Sequence, residues 1–440
     1  MKKALILLNF LLISIFLFSQ DLDYAKTVME KLCSKDMFGR GYVSAGDKKA
    51  AFYIENEFKK WGLFAYDTIT ATSGSKAGLR TLSYQQEFSI RVNTFPQVVK
   101  LTIDKTDLKP GIDFLVAPSS SAAELQTSDL KNVTLKNLKD EPSFDNFLSE
   151  DYTGYTLVVD PSLFDKEPGK TYLKRVLANE MKADAIIVLT SSLVWGIAGQ
   201  FDKFPTFYVN KAIWPKKPIT ATFQVDTKYY YDYKTQNVIA RIKGKKYPDK
   251  FIVFTAHYDH LGCMGSETYF PGANDNASGV ALMLDLARHF ADVFNQPDYS
   301  MVFVAFGAEE AGLLGAKHFA NKPPVPLSSI KFMFNFDMMS TGETGMMVVN
   351  GKERSAEFGT LKTINSTKKY LVDVQARANA PISDHYPLTE KKVPAVYCYL
   401  MGDPAKNYYY HLPGDVPSNV SMMGYEGVFK LLTDFVSELK

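Results

Sequence analysis

Short apolar runs alternate with helical patterns in the second half of the chain. Residues 251–256, 301–306 and 330–336 are rich in β-branched and aromatic side chains, which is typical of strands buried on both faces. Between the first two runs, residues 277–294 carry apolar side chains at the spacing of a helix. Such a series folds with right-handed crossovers, so the carboxyl ends of its strands meet at one edge of a sheet. The pattern predicts an α/β fold with a mixed, largely parallel central sheet and helices on both faces.

Further apolar patterns extend this sheet and its helices. Residues 237–242 and 251–256 predict a hairpin that turns at residues 244–249. Residues 347–349 and 395–400 predict more strands, and residues 355–368 predict a helix. The chain closes with helical spacing at Val428, Leu432, Phe435 and Leu439. Two opening helices are predicted at residues 21–32 and 46–61.

The pattern changes between residues 85 and 225, where short strands and turns replace long helices. A chain of 440 residues is longer than one core usually encloses, so two domains are expected. We predict one domain from residues 20–84 and 226–440, interrupted by a smaller β-rich insertion at residues 85–225. All six histidines lie at or after position 257, so we do not expect the insertion to bind a catalytic metal.

The amino terminus has the pattern of a signal peptide. Lys2 and Lys3 precede an apolar stretch over residues 4–18 that is interrupted by Asn9 and Ser14. A spanning helix needs ~20 apolar residues, so this stretch is too short to favour a membrane anchor. We predict that residues 1–19 are removed after Ser19 and that the mature protein is secreted or periplasmic, with no membrane span.

Composition and charge narrow the possible partners. The chain is 46% apolar and 22% charged, as in globular proteins, and its formal net charge is +2. Because 50 basic residues are almost balanced by 48 acidic ones, no electrostatic case exists for nucleic acid or an anionic membrane. Cys33, Cys263 and Cys398 allow at most one disulfide, whose pairing the sequence leaves open, as it does the oligomeric state.

Five candidate metal ligands follow the apolar runs. His257 ends the first strand, Glu310 follows the second, and Asp337 ends the third. Asp275 lies in a Gly-Ala-Asn-Asp-Asn turn, and His411 comes later. Two imidazoles and three carboxylates are too many ligands for one catalytic zinc, which keeps a position open for water. Two ions ~3.5–4 Å apart would fit if Asp275 bridged them, one ion bound also by His257 and Asp337, the other by Glu310 and His411.

The motifs TAHYDH, GANDNASG, FGAEEAG and FNFD resemble those of the co-catalytic zinc aminopeptidase family. That family includes bacterial leucyl aminopeptidases, aminopeptidase Y, the glutamate carboxypeptidases, the transferrin receptor and the single-zinc glutaminyl cyclases. The resemblance covers residues 237–440 and implies a zinc exopeptidase fold with two Zn²⁺ per chain. It implies Glu309 as general base, Asp259 as the carboxylate that orients His257, and Tyr410 as an oxyanion stabiliser.

The insertion resembles the protease-associated domain of several members of this family. The resembling stretch includes strands at residues 155–159, 185–189 and 204–209, with a helix at 173–183. Whether it shapes access to the cleft or contacts substrate stays open.

The resemblance implies an exported exopeptidase that hydrolyses the N-terminal peptide bond of peptides. Arg288, Arg354 and Arg377 are scattered and form no carboxylate clamp, which favours an aminopeptidase over a carboxypeptidase or dipeptidase. A glutaminyl cyclase would have a Trp-His context where this chain has Tyr410-His411, and a receptor-like relative would have lost ligands.

Two other histidine motifs have smaller expected roles. A lone histidine at a strand end is more often a hydrogen-bonded core residue, but the combined set favours metal ligation for His257. His260 follows that motif and is expected at most to contact substrate. In Ser383-Asp384-His385 we expect Asp384 to fix its loop.

Overall fold

The computed structural model describes residues 21–70 and 80–439. The signal peptide predicted at residues 1–19 lies outside these residues. No helix in the described ranges combines the length and apolar character needed to cross a bilayer. Cys33, Cys263 and Cys398 are free and buried, so the described residues contain no disulfide.

Outside the insertion the helices match the predicted bounds closely, whereas the helix predicted at residues 173–183 is found at Gly169–Leu177. The opening helix begins at Leu22 because the Asp21 side chain caps it by accepting a hydrogen bond from the Tyr24 N–H. The helices of the described residues are α1 (Leu22–Leu32), α2 (Gly46–Lys60), α3 (Glu141–Leu148), α4 (Gly169–Leu177), α5 (Ser278–Ala291), α6 (Leu314–Asn321), α7 (Ser355–Lys368), α8 (His385–Glu390) and α9 (Tyr425–Glu438).

Within the described ranges, the strands form two large sheets and two small two-stranded ones. In chain order they are β1 (Phe64–Ala65), β2 (Asp67–Thr70), β3 (Arg80–Ser83), β4 (Gln85–Thr94), β5 (Val99–Ile103), β6 (Thr106–Asp107), β7 (Phe114–Val116), β8 (Ala123–Asn132), β9 (Tyr155–Val159), β10 (Ala185–Thr190), β11 (Thr206–Asn210), β12 (Thr220–Val225), β13 (Lys228–Ile242), β14 (Tyr247–His257), β15 (Gly262–Met264), β16 (Thr268–Phe270), β17 (Tyr299–Phe306), β18 (Ile330–Phe336), β19 (Gly345–Val349), β20 (Val374–Arg377) and β21 (Ala395–Met401).

The first large sheet has the strand order β1-β13-β17-β14-β18-β21-β19-β20, and β4 also pairs with β13. Its centre is parallel, because β14 runs parallel to both β17 and β18, and β18 runs parallel to β21. The outer pairs β13 with β17 and β19 with β21 are antiparallel. These pairings confirm the predicted mixed, largely parallel sheet.

The predicted hairpin of residues 237–242 and 251–256 is wrong. Strand β17 lies between β13 and β14, so Ala305 is paired with Val238 on one side and with Ala256 on the other. The physical reason is that every residue of Tyr299–Phe306 is buried. A strand without a polar face or free edge must be covered by neighbours on both sides.

Helices cover both faces of this sheet, as predicted. On one face, Ile252, Phe254 and Ala256 of β14 belong to a core that also contains apolar residues of α1, α2, α5 and α9. On the other face, Val253 packs in a core with Phe319 of α6 and with residues of α8. The alternation along β14 therefore anchors the strand that ends at His257.

The second large sheet is built from residues 99–225 in the strand order β6-β5-β12-β8-β9-β10-β11-β7. Helices α3 and α4 pack on one side of it through Phe144, Phe147 and Val176. Strand β4, which the prediction assigns to the insertion, pairs with β13 in the first sheet. The protease-associated identity of this unit stays a prediction.

Candidate metal centre

The candidate ligands meet where the parallel strands end. His257 is the last residue of β14, Asp337 follows β18, and Glu310 lies four residues after β17. Because these strands are parallel neighbours, their carboxyl ends share one edge of the sheet. The strand order therefore brings the three side chains together.

Asp275 reaches the same edge from the turn that precedes α5. The Asp415 carboxylate accepts hydrogen bonds from the N–H groups of Asn274 at 2.9 Å and Asp275 at 3.1 Å. The guanidinium of Arg40 donates to the carbonyl of Gly272 at 2.7 Å. These bonds fix the backbone that carries Asp275.

The Asp275 carboxylate faces two imidazoles, one with each oxygen. Its Oδ1 lies 3.2 Å from His257 Nε2, and its Oδ2 lies 3.1 Å from His411 Nε2. His257 Nε2 is also 3.5 Å from Asp337 Oδ1, and His411 Nε2 is 3.4 Å from Glu310 Oε2. The five residues thus form two imidazole–carboxylate groups that share Asp275.

His260 is a participant that the sequence reasoning missed. Its ring is buried, and Nδ1 lies 2.8 Å from Glu310 Oε1. Single ligand atoms of His260, Asp275 and Glu310 lie within 4.8 Å of one another, as do those of His257, Glu309 and Asp337. The buried position does not fit the substrate contact expected for His260. Its placement three residues after His257 was the available signal.

The residues present fit zinc. Side chains of the five candidate ligands are at most 11% exposed, so water does not compensate their charges. Asp275 Oδ1 and His260 Nε2 are buried without a hydrogen-bond partner among the described residues. In this part of the chain the ion pairs of Asp275 and Glu310 run to histidines. Imidazole nitrogens and carboxylate oxygens are ligands that zinc accepts.

The protonation equilibria also indicate a site built for cations. Burial opposes the charged form of His411, but Glu310 and Asp275 outweigh it and raise its pKa to about 11. Burial also opposes charge on His257, whose pKa Asp337 and Glu309 nevertheless raise well above its ordinary value. Burial and nearby carboxylates raise the pKa of Glu309 well above its ordinary value. Without a metal, bound protons supply the positive charge that these buried carboxylates attract.

Asp259 contacts both His257 and Glu309. The expectation was that its carboxylate orients His257, but its backbone carbonyl makes that bond. The His257 ring bonds through Nδ1 to the backbone carbonyl of Asp259 at 3.2 Å, whereas the carboxylate Oδ1 is 3.9 Å away. The carboxylate instead accepts from the Glu309 N–H at 3.0 Å and from the Tyr42 hydroxyl at 3.3 Å. Asp259 therefore orients the backbone of Glu309.

Tyr410 lies at the solvent side of the cluster. Its ring stacks on His411 with centroids 3.9 Å apart, and the residue is 48% exposed. Such exposure leaves room for a ligand beside it.

Ser383 fixes its loop, and Asp384 does not. The Ser383 hydroxyl donates to Asp337 Oδ2 at 2.8 Å and accepts from Asn335 Nδ2 at 2.8 Å. Both carboxylate oxygens of Asp384 are buried without a hydrogen-bond partner in the described ranges. The expected loop-fixing role of Asp384 is therefore wrong, because the neighbouring hydroxyl makes those bonds.

The fold and this cluster define an α/β chain with a candidate metal centre at the carboxyl edge of its parallel strands. Residues 237–436 match the profile of Peptidase family M28. This profile match confirms the family resemblance that the sequence motifs indicated.

Known relatives cover the chain unequally. Aminopeptidase YwaD of Bacillus subtilis (strain 168) is 31% identical over 219 residues, which are 48% of this chain and 46% of that protein. A probable zinc metalloprotease of Pyricularia oryzae is 38% identical over 125 residues, 28% of this chain and 24% of that one. This chain therefore spans less than half the length of these relatives.

Solved structures share the fold over almost the whole chain. The zinc aminopeptidase BSAP from Bacillus subtilis aligns with a TM-score of 0.67 at 23% identity, over 96% of this chain and 95% of that one. An aminopeptidase from Aneurinibacillus sp. strain AM-1 aligns with a TM-score of 0.61 at 23% identity, over 95% and 94%. At this identity the likeness confirms the fold alone.

Proposed function

We propose that this chain is an exported aminopeptidase that removes the N-terminal residue of peptides with two zinc ions. Asp275 would be shared by the two ions, with His257 and Asp337 holding one and Glu310 and His411 holding the other. The supporting observation is that Asp275 presents Oδ1 to His257 at 3.2 Å and Oδ2 to His411 at 3.1 Å. A carboxylate shared in this way is what a two-metal site needs.

The reaction we propose is amide hydrolysis with Glu309 as the proton carrier. Zinc bound at the two sites would polarise the scissile carbonyl and make a water molecule more acidic. Glu309 takes a proton from the attacking water and delivers it to the leaving amine, a shuttle that contributes about 10²–10⁴ in rate. Asp259 holds the Glu309 backbone for this transfer. The Tyr410 hydroxyl donates to the oxygen that becomes negative.

An excess of buried carboxylates supports recognition of an amino end. Asp275, Glu309, Glu310, Asp337 and Asp384 carry five negative charges when ionised, against the four positive charges of two Zn²⁺. The remaining negative charge attracts an α-ammonium group and repels a C-terminal carboxylate. The fully buried Arg40 donates its hydrogen bonds to backbone carbonyls, including those of Gly272 and Tyr258. It therefore offers no clamp for a substrate carboxylate.

The test combines metal analysis with the substitution Glu309→Gln. We expect two zinc ions per chain in both forms and a fall in kcat of about 10²–10⁴ in the variant. Amino-acid anilides and amino-blocked dipeptides are the two substrates. The exposed Glu390→Gln is the matched control and should keep full turnover.

Each alternative predicts a different result. Turnover confined to amino-blocked dipeptides identifies a carboxypeptidase, and free dipeptides alone identify a dipeptidase. One zinc per chain favours a glutaminyl cyclase, and no zinc favours a receptor-like protein. An unchanged kcat in Glu309→Gln removes Glu309 from the mechanism.

A further inference from the structure

One residue of the insertion is bonded directly to a candidate metal ligand. Trp195 lies in the connection between β10 and β11 and is 4% exposed. Its backbone carbonyl accepts a hydrogen bond from His411 Nδ1 at 2.7 Å. Its N–H donates to the carbonyl of His411 in a longer bond of 3.4 Å. The two residues are 216 positions apart in the chain.

The first bond determines which nitrogen of His411 is free. A carbonyl can only accept, so Nδ1 must carry the proton. In the neutral, metal-binding imidazole the lone pair then resides on Nε2, which faces Asp275 Oδ2 at 3.1 Å and Glu310 Oε2 at 3.4 Å. Outer partners that fix a ring in this way typically change metal affinity by about 10–100-fold.

The backbone of His411 also requires support. Its φ of 55° lies in the left-handed region, which is unfavourable for a residue with a side chain. A bond from the Trp195 N–H to the His411 carbonyl holds that conformation from outside. Both bonds end on the backbone of Trp195, so the position of that backbone matters.

The indole ring anchors this backbone to three other segments. Its N–H donates to the carbonyl of Val116 in β7 at 2.8 Å. Its ring stacks on Phe270 in β16 with centroids 4.5 Å apart and contacts Phe95 at 6.0 Å. Phe270 lies in the peptidase half and Val116 in the insertion, so the indole packs between the two.

We propose that Trp195 is a positioning residue of the metal centre, through which the insertion sets the affinity of the zinc site formed by Glu310 and His411. The inference rests on the proposed two-zinc function. It gives the insertion a role in assembling the centre, beyond covering or recognising substrate. Among the described residues, the site formed by His257 and Asp337 has no hydrogen bond to Trp195 and should be independent of it.

The test measures zinc affinity in the full-length chain by competition with a chromophoric chelator. For Trp195→Ala we expect one of the two dissociation constants to rise about 10–100-fold and the other to stay unchanged. Trp195→Phe keeps ring stacking on Phe270 but loses the bond to Val116, so its rise should be smaller. In the variant whose dissociation constant rises, the visible absorption of the cobalt-substituted protein should also change.

The matched control is Phe144→Ala. Phe144 is a buried aromatic residue in the other core of the insertion and stacks on Tyr172. This variant should lower the melting temperature but keep both zinc constants and the cobalt spectrum. The inference is overturned if Trp195→Ala keeps both constants, or if Phe144→Ala raises the same constant equally. A wild-type chain that binds no zinc overturns the proposed function itself.

Discussion

At the scale of single residues, the candidate centre depends on hydrogen-bond partners that no local sequence pattern predicts. Arg40 is fully buried, yet its guanidinium bonds to carbonyls of Tyr258 and Gly272 on the two loops beside the candidate ligands. In the sequence, Gly39-Arg40-Gly41 reads only as a connection between two helices. A side chain's partners hundreds of positions away follow from the fold, which periodicity does not supply.

Ser383 offers a test of these outer partners. Its hydroxyl donates to Asp337 Oδ2 at 2.8 Å, so Ser383→Ala leaves that oxygen without its donor. We expect zinc affinity at the site of His257 and Asp337 to fall about 10–100-fold. Chelator competition measures it, with the exposed Ser366→Ala as control. Equal affinities in both variants would exclude a role for this bond.

At the scale of elements, α2 is tied to β13 by a buried carboxylate. Asp47 in the first turn of α2 accepts from the Tyr233 hydroxyl at 2.7 Å and from Thr235 Oγ1 at 2.9 Å. Burial raises its pKa to about 6, although both hydrogen bonds act in the opposite direction. Ionised Asp47 is therefore less stable in the fold than in the unfolded chain.

The contribution of Asp47 to the unfolding free energy decreases as pH rises. Between pH ~4 and ~6 the folded chain holds a proton on Asp47 that the unfolded chain has lost. This stabilisation, about 1–3 kcal/mol, is present at the acid end and lost as pH rises through ~6. We expect the unfolding free energy of the wild type, relative to Asp47→Asn, to fall over that range. Urea unfolding measures it, and the exposed Asp232→Asn should show no such trend.

The elements themselves were largely predictable, whereas their order in the sheet was not. Residues 330–336 were predicted as a strand, and β18 spans Ile330–Phe336, because a continuous apolar run between turns leaves little choice. The hairpin failed because adjacency in the chain does not determine adjacency in a sheet. β17, although later in sequence, lies between β13 and β14. The candidate ligands were identified because the ends of their strands were predicted correctly, even though the pairing of β13 with β14 was predicted wrongly.

At the scale of the whole molecule, the second sheet shares an apolar core with the segment that follows His257. Val209 and Phe223 of the second sheet pack in a cluster with Leu261 and Phe270, which lie between His257 and Asp275 in sequence. The polypeptide that carries two candidate ligands is therefore packed against the insertion. Metal binding and global stability should be coupled across both sheets.

Without metal, the centre should make the protein sensitive to alkaline pH. Burial raises the pKa of Asp259 to about 7, and burial with nearby charges raises those of Glu309 and Asp384 well above their ordinary values. His257 is raised in the same direction, and His411 to about 11. In each case the folded chain holds a proton that the unfolded chain releases. That stabilisation is present at low pH and is lost as pH rises.

The opposite shifts act in another pH range. Histidines lower the pKa of Glu310 to about 2 against the effect of burial, and that of Asp275 lies well below its ordinary value. Their stabilisation is complete above pH ~4 and is lost only as pH falls further, so it is constant from pH 6.5 to 9. The pKa of buried His260 is also lowered, so its contribution is lost only as pH falls below ~6.5. From pH 6.5 to 9 the groups with raised pKa values therefore dominate, and the metal-free protein loses stability as pH rises. Zinc replaces the protons, so the zinc-loaded protein should depend on pH much less.

The gap in melting temperature between zinc-loaded and chelator-treated protein should therefore widen from pH 6.5 to 8.5. Scanning fluorimetry at three pH values measures it. Metal-free Glu309→Gln lacks one of the raised carboxyl groups, so its melting temperature should fall less steeply with pH than that of the wild type. A gap that narrows as pH rises would mean that protons and zinc do not compete for the same buried groups, and the cluster would then not be a cation site.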